Sequence, residues 1–540
     1  MTRSYETTGQ SAWCWSLLFC GLLAFLGARL LTMHVSMLNV DEASYAAAAV
    51  RTLTEHAPLM AEVRDNKPPG IHAVYATVFS VFGPYRMTAL RWVGMAWVAL
   101  TAALIALFAR RWGGRTFAVC AAAFYLMATS LDLRLMAVKT EMLANLPVAL
   151  ALGALVEAVR LRSSIWAATA GGAVVLCFVF RQPTVLIPMG AGLLLLVSCL
   201  SCSEPSWRQT VVRLTSFYCV GLACSIAAFW AVFQLLGSWP AALLQSVRLP
   251  LDFPASAQYS LTARAIRLAT YLEEYFRFAQ VIFLSALLGC GAMARGLWRG
   301  RDPAASSLNW AMAGAVPAAV LAFASAPEQY HSYFLQLYVP FAICFGWLCS
   351  RLVKFEADTA GGSSASSLWR AMLVAAFASG LVLALKEPVK ISTGRQATAD
   401  AWLPRLTGAL RSGAVPGDRL LVWGYKPSLY LSSGLVPATR FTLTDVLVGA
   451  SGEVGRTLDA ALPHRYYESG AWDVFMHQLE VERPRYIVDA KRLANIPGEF
   501  SLQTFPRIAA YVAKHYRQRD EEGDLVLYER LPQTRLEGEP

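Results

Sequence analysis

The stretch Val35-Ser-Met-Leu-Asn-Val-Asp-Glu-Ala-Ser-Tyr45, continued by Asp65-Asn-Lys-Pro-Pro-Gly70, decides how this chain is read. It follows the first long apolar segment and puts three acids, a lysine and a double-proline corner where a membrane segment meets water. Ionisable residues at that depth are costly, so such a stretch is read by default as a functional site. Asp41 stands where it can cap an alanine-rich helix over 42–56. That helix is too short and too polar to span, and is expected to lie along the interface. Lys67-Pro68-Pro69 then breaks the chain, residues 71–82 make a second short apolar segment, and Gly83-Pro84 ends it.

Composition sets the class. A chain of 540 residues with 56% hydrophobic content and mean hydropathy +0.43 needs lipid as a solvent. Its net charge of +11 comes largely from arginines in short clusters between apolar spans, which encode membrane topology rather than a nucleic-acid surface. The 11 cysteines all lie at or before Cys349, scattered through apolar segments, and read as buried inert thiols rather than a disulfide framework. No phosphate-cradling glycine loop, GxSxG elbow or HExxH motif occurs, which argues against a nucleotide-driven pump or a membrane hydrolase.

Outward from the quoted stretch, a polytopic α-helical protein with about eleven spans is expected. These are 11–33, 87–109, 116–129, 142–159, 165–180, 183–200, 214–236, 281–297, 308–324, 334–350 and 369–385. The first lacks a convincing cleavage site and reads as a retained helix. Arg110, Arg111 and Arg115, then Arg160 and Arg162, Arg208 and Arg213, Arg299 and Arg301, and Arg351 with Lys354 mark inner turns. The loops at 34–86 and 237–279 face outward on this reading, the latter with an amphipathic run at 261–278, and the hairpin tip at Arg181-Gln182 faces outward too. Residues 361–367 read as a flexible inner linker. From 390 onward strand-like runs at 419–423, 486–489 and 525–528 alternate with helical patterns at 399–411, 471–479 and 506–516. A membrane module over 1–389 and an outer α/β domain over 390–540 follow.

At this point the residues carry a resemblance. An outer first loop with Asp41-Glu-x-x-Tyr45, then Lys67-Pro-Pro69 before a short amphipathic helix, resembles the membrane glycosyltransferases of the GT-C class. The likeness is greatest to the bacterial branch related to protein O-mannosyltransferases and lipid A aminoarabinose transferases, families 39 and 83. Lys139-Thr140-Glu141, Arg181-Gln182-Pro183 and His331-Ser-Tyr-Phe-Leu-Gln-Leu337 match further landmarks, and the likeness covers 11–350. It implies an inverting hexosyl- or pentosyltransferase that moves a sugar from a polyprenyl-phosphate (undecaprenyl phosphate) carrier to a glycolipid, an envelope polysaccharide or a protein. It also implies a multi-pass protein of the bacterial inner membrane with its site and C-terminal domain in the periplasm.

Displacing a lipid phosphate from an anomeric carbon requires a base for the acceptor hydroxyl and cations for the departing phosphate. Asp41 is the candidate base, its ionised form favoured at a helix N-terminus. Glu42 either orients the acceptor or sits on a solvated face. Glu141, near Arg134 and Lys139, is either a second active-site acid or part of a local ion pair. Lys67 and Arg181 are candidate phosphate clamps, with snorkelling interface anchors as the alternative. His331 is a candidate phosphate contact, proton donor or metal ligand. Tyr45, Arg134, Lys139, Tyr330 and Tyr333 are candidates to line the substrate site. A divalent metal is the one candidate cofactor, with Asp41 and His331 as candidate ligands; aminoarabinose transferases tend to carry an acid where this chain has Asn66, which weakens that case. Two other classes compete: a secondary transporter and a non-catalytic membrane scaffold. The acids and bases lie in outer loops rather than mid-span, which disfavours the transporter, and a scaffold leaves the acid, lysine and arginine set unexplained.

Overall fold

The computed structural model describes residues 12–65, 67–248, 261–297, 302–325, 331–358, 364–394, 404–448, 470–490 and 501–532. The chain divides into two compact units. One gathers residues 1–34, 90–235 and 259–396, and the other 35–89, 236–258 and 397–540.

The first unit is built of apolar helices. Across the described residues eight helices are long and apolar enough to cross a membrane: Ala12–Leu31, Met87–Gly113, Thr140–Arg160, Gln182–Leu200, Pro205–Leu235, Pro303–Ala324, Ser332–Phe355 and Ser367–Ser392. The three other expected spans fall on shorter apolar helices, Arg115–Ala128, Ser164–Phe180 and Ile282–Gly296. The last of these is the end of one continuous helix, Leu261–Gly296. The run at 261–278 is therefore joined to the eighth span rather than lying apart in a loop, because no proline interrupts it.

Apolar helices in lipid gain little from mutual burial, so close approach through small residues holds them. A Cβ at Gly314 would stand 2.1 Å from the Gly190 carbonyl oxygen, and one at Gly221 would stand 2.0 Å from that of Ala168. Two buried charges tie helix ends. Glu157 is fully buried and accepts from Arg111 at 2.9 Å, Trp112 Nε1 at 2.8 Å and Arg160 at 3.1 Å. Two of the arginines that the sequence reading takes as inner-turn markers thus also satisfy a buried acid. Arg29, in the last turn of the first span, donates to the carbonyls of Met136 at 3.2 Å and Thr129 at 3.4 Å. A cation away from the inner turns is explained by this carbonyl-capping role.

The second unit carries a five-stranded sheet of order β2-β1-β3-β5-β4, with β1 Arg419–Trp423, β2 Val436–Pro437, β3 Tyr486–Ala490, β4 Tyr516–Glu522 and β5 Leu525–Arg530. β1 pairs parallel to β2 and β3, while β5 is antiparallel to β3 and β4. Alternation along the strands serves two cores. Leu421, Trp423 and Ile487 pack with Phe475, Leu479 and Val512, whereas Leu420, Val422 and Val488 pack with Leu406, Leu410, Leu429 and Tyr430. Ala47, from the first loop, belongs to the second core. The charged strand β4 was not legible as a strand, since an edge strand keeps its polar side chains in water.

Candidate active site

In the first unit, three motif stretches far apart in sequence meet. Arg181 follows the Ser164–Phe180 helix, Lys139 precedes the Thr140–Arg160 helix, and Ser332 and Tyr333 lie in the 3-10 turn His331–Phe334. Arg181 donates to Glu141 Oε1 at 2.6 Å and to Thr140 Oγ1 at 3.3 Å, and its guanidinium carbon lies 4.0 Å from the Tyr333 ring centroid. Lys139 donates to Ser332 Oγ at 3.2 Å. All of these side chains are buried. Two cations and one acid in a desolvated cluster suit an anionic group, and a planar guanidinium stacked on a ring is held ready for phosphate oxygens.

Glu141 therefore takes Arg181 as its ion partner. Arg134 is held by Asp132, two residues back, at 2.6 Å. Ser332 and Thr140 were passed over in the sequence, although both sit inside the quoted landmarks. The side chain of His331 and the whole of Tyr330 lie outside the described residues.

In the second unit the first-loop helix runs Val40–Thr54, and its cap is Asn39, not Asp41. The Asn39 side chain accepts from the Asp41 N–H at 2.9 Å, so Asp41 stands in the first turn, partly exposed. Glu42 has 0% exposure and accepts from the Leu38 N–H at 2.9 Å, which locks the entry to the helix and removes the solvated-face reading. Residues 42–52 are all buried, and the helix packs on Pro69–Phe82, on Ser428–Ser433 and on β2. It is a packed element rather than one lying flat at an interface, because four successive alanines let neighbours approach on every side.

Lys67 sits just before Pro68, which occupies the cap position of the Pro69–Phe82 helix, so the stiff corner is the helix start itself. Tyr45 is built into an aromatic ladder, 5.6 Å from the His72 ring and 5.7 Å from that of Tyr75. His72, which sequence reading missed, is buried with Nε2 3.5 Å from Asp65 Oδ2, a contact that brackets the Lys67 corner. Asn66 lies outside the described residues.

A second feature missed in the sequence is a buried clamp. Arg51, 2% exposed, bonds Glu62 at 2.8 Å, the Pro437 carbonyl at 2.8 Å and Glu482 at 3.4 Å; Arg419 adds Glu482 at 2.7 Å and Glu55 at 2.6 Å. Ser44 also bonds Thr442 at 2.8 Å, and Gln245 donates to the carbonyls of Met60 and Val63. Such pairings across hundreds of residues have no local signature. Among the described residues no group of three or more His, Cys, Asp or Glu side chains gathers into a metal-binding set.

Solved structures resemble this architecture over nearly its whole length. The archaeal oligosaccharyltransferase AglB from Archaeoglobus fulgidus, in complex with an inhibitory peptide and a dolichol-phosphate, superposes with a TM-score of 0.56 at 12% identity, covering 98% of this chain and 76% of that one. ArnT from Cupriavidus metallidurans bound to undecaprenyl phosphate gives 0.55 at 13% identity, covering 97% and 99%. Its apo form gives 0.55 at 14% identity, covering 96% and 98%. The chain has the GT-C fold. No protein-family model and no curated protein matches it, so the likeness is one of fold. A GT-C membrane module with a C-terminal sheet was the expectation from the first-loop and landmark motifs, and the fold bears it out.

Proposed function

We propose that this chain transfers a sugar from a polyprenyl-phosphate carrier to an extracytoplasmic acceptor, with inversion at the anomeric carbon. The observation that carries the reading is the buried cluster of Lys139, Glu141, Arg181, Ser332 and Tyr333. Support comes from the two similar GT-C structures that hold dolichol-phosphate and undecaprenyl phosphate.

The chemistry follows from charge. The acceptor oxygen forms a bond to the anomeric carbon, the bond from that carbon to the phosphate oxygen breaks, and the carrier leaves as polyprenyl phosphate. Arg181 and Lys139 stabilise the charge growing on the leaving phosphate, with Lys67 and His331 assigned to the same task. Asp41 takes the proton of the acceptor hydroxyl. Glu141 holds the Arg181 fork in its plane, and Tyr333 supports its face. Acceptor classes are those that carry a hydroxyl or an equivalent nucleophile: a glycolipid, an envelope polysaccharide or a protein.

Arg181→Lys tests the phosphate assignment. Removing Arg181 outright leaves Glu141 buried without its partner, which unfolds proteins for reasons unrelated to substrate. Lysine keeps the charge and loses the fork. Purified protein with Arg181→Lys, supplied with polyprenyl-phosphate-linked sugars, is expected to show apparent donor affinity reduced about 10-fold or more, the worth of one charge-assisted hydrogen bond. Unchanged donor affinity in a folded variant would leave Arg181 as a structural tie.

A further inference from the structure

The second unit holds a cleft that the transfer reading does not use. It has a volume of about 590 Å³ and is lined by Arg483, Tyr511, Lys514, His515, Arg530 and Glu480. That size is within the range of small-ligand sites. Arg483 and Arg530 also line an adjoining cleft of about 310 Å³, so the basic surface continues past one mouth.

Three observations set this cleft apart from an ordinary solvated face. Arg485, beside it, is tied to Asp418 at 3.0 Å. Arg483, Lys514 and Arg530, by contrast, have no carboxylate within ion-pair distance among the described residues. Three cations against the single carboxylate of Glu480 leave the cleft net positive, and a cleft of one sign concentrates ions of the other. The second observation is backbone. Arg483 closes the Ala471–Glu482 helix in the left-handed region, at φ 46° and ψ 60°, where glycine is the usual residue. Its Nε donates to the Glu480 carbonyl at 3.1 Å, which ties the stem of the side chain to the helix end and leaves the terminal nitrogens of the fork. The third is local potential. Burial first, and then Lys514, Arg530 and Arg483, push the His515 imidazole below its ordinary value, against a smaller opposing pull from Glu480.

We propose that this cleft binds a phosphorylated saccharide. A phosphate dianion matches two guanidinium forks and an ammonium better than a single carboxylate does. The remaining volume, walled by the Tyr511 ring, which rests 5.0 Å from that of His515, accommodates a sugar. Tyr511 is already oriented, since its hydroxyl donates to the Leu479 carbonyl at 2.9 Å. The test of this site reads binding without turnover.

The backbone supplies the discriminating variant. Arg483→Gly relieves the left-handed strain and keeps both main-chain bonds of that residue, its N–H to the Leu479 carbonyl and its carbonyl from Arg530. Relief of the strain offsets the loss of the bond from Arg483 Nε to the Glu480 carbonyl, so it should unfold close to the parent and yet bind less. Full-length protein in phosphatidylcholine nanodiscs, titrated with glucose 1-phosphate, is expected to show saturable binding that weakens with salt. Glucose alone should not bind. Arg483→Gly and Lys514→Gln should each reduce affinity about tenfold. No saturable binding overturns the proposal. So does affinity unchanged in both variants, which would put the phosphate at another site such as Arg181. Binding of phosphatidylglycerol vesicles without binding of glucose 1-phosphate would assign the cations to a lipid surface and overturn the saccharide reading.

Discussion

Asn39 takes the capping task, and that changes what can be asked of Asp41. Because the Asn39 side chain already accepts the Asp41 N–H, replacing the Asp41 carboxylate by an amide leaves the cap intact. Against the helix dipole, one anion in the first turn is worth about 0.3–1 kcal/mol. Asp41→Asn should therefore fold. As the proposed base it should lose turnover on the order of 10²–10⁴-fold, since an amide does not take the acceptor's proton. Asn39→Ala makes the complementary variant: it costs about 1 kcal/mol of helix stability and leaves the carboxylate in place. Turnover and thermal stability measured on both should separate, with activity falling in one and stability in the other. Normal turnover in Asp41→Asn would move the base assignment to Glu141. Residue types were legible here and partners were not. The motifs naming Asp41, Glu141 and Arg181 could be quoted from the chain, but Glu141 meets Arg181 across 40 residues, and Glu42, read as either orienting the acceptor or sitting on a solvated face, is a buried tie to Leu38.

Helices were legible in kind and less so in their ends. The single helix Leu261–Gly296 was read as two because hydropathy changes along it, and such a change reports the solvent outside rather than the backbone within. Polar strand β4 was hidden for the same reason in reverse. What fastens one apolar helix to the next is a matter of close contact that periodicity does not reveal. On the Leu186–Leu200 helix two glycines two residues apart make opposite predictions. A Cβ at Gly190 would stand 2.7 Å from the Gly314 carbonyl oxygen, while one at Gly192 finds its nearest neighbour, Leu155, at 3.8 Å. Gly190→Ala should push the helices apart and cost about 1–3 kcal/mol. Gly192→Ala should be neutral, or stabilising by up to about 1 kcal/mol through helix propensity. Thermal unfolding of the two variants in the same detergent checks the pair. An equal response would mean that the Pro303–Ala324 helix is not seated on Gly190.

The whole molecule adds a condition that neither motifs nor helices contain. The second unit is made of residues 35–89, 236–258 and 397–540, knit by Arg51 to Pro437 and Glu482 and by Gln245 to Met60 and Val63. Segments that share such bonds must lie on one side of a membrane, so each must follow an odd number of spans if the first does. Counting only the eight long apolar helices puts one before residue 35 and five before 236, but eight before 397, and the parity fails. Adding Arg115–Ala128 and Ser164–Phe180 leaves the parity at 236 unchanged. Adding Ile282–Gly296 as well brings the counts to one, seven and eleven. All are odd. Parity therefore requires Ile282–Gly296 to cross, and Arg115–Ala128 and Ser164–Phe180 to cross together or not at all. From the arginine clusters after the even-numbered spans of the eleven-span count we propose the sign: the second unit outside. A cysteine placed at Ser412, on the exposed face of the Pro404–Gly413 helix, should react with an impermeant maleimide in cells whose outer barrier is permeabilised. One placed at Ser364, at the start of the Ser364–Ser392 helix, should react only after the cytoplasmic membrane is opened. The native cysteines all lie at or before Cys349, with Cys202 between two helices and Cys219 and Cys224 exposed, so the parent without an added cysteine supplies the background labelling. Labelling of both positions in intact cells would break the parity argument at the last span, and reversal of the two would invert the molecule and place Asp41 in the cytoplasm.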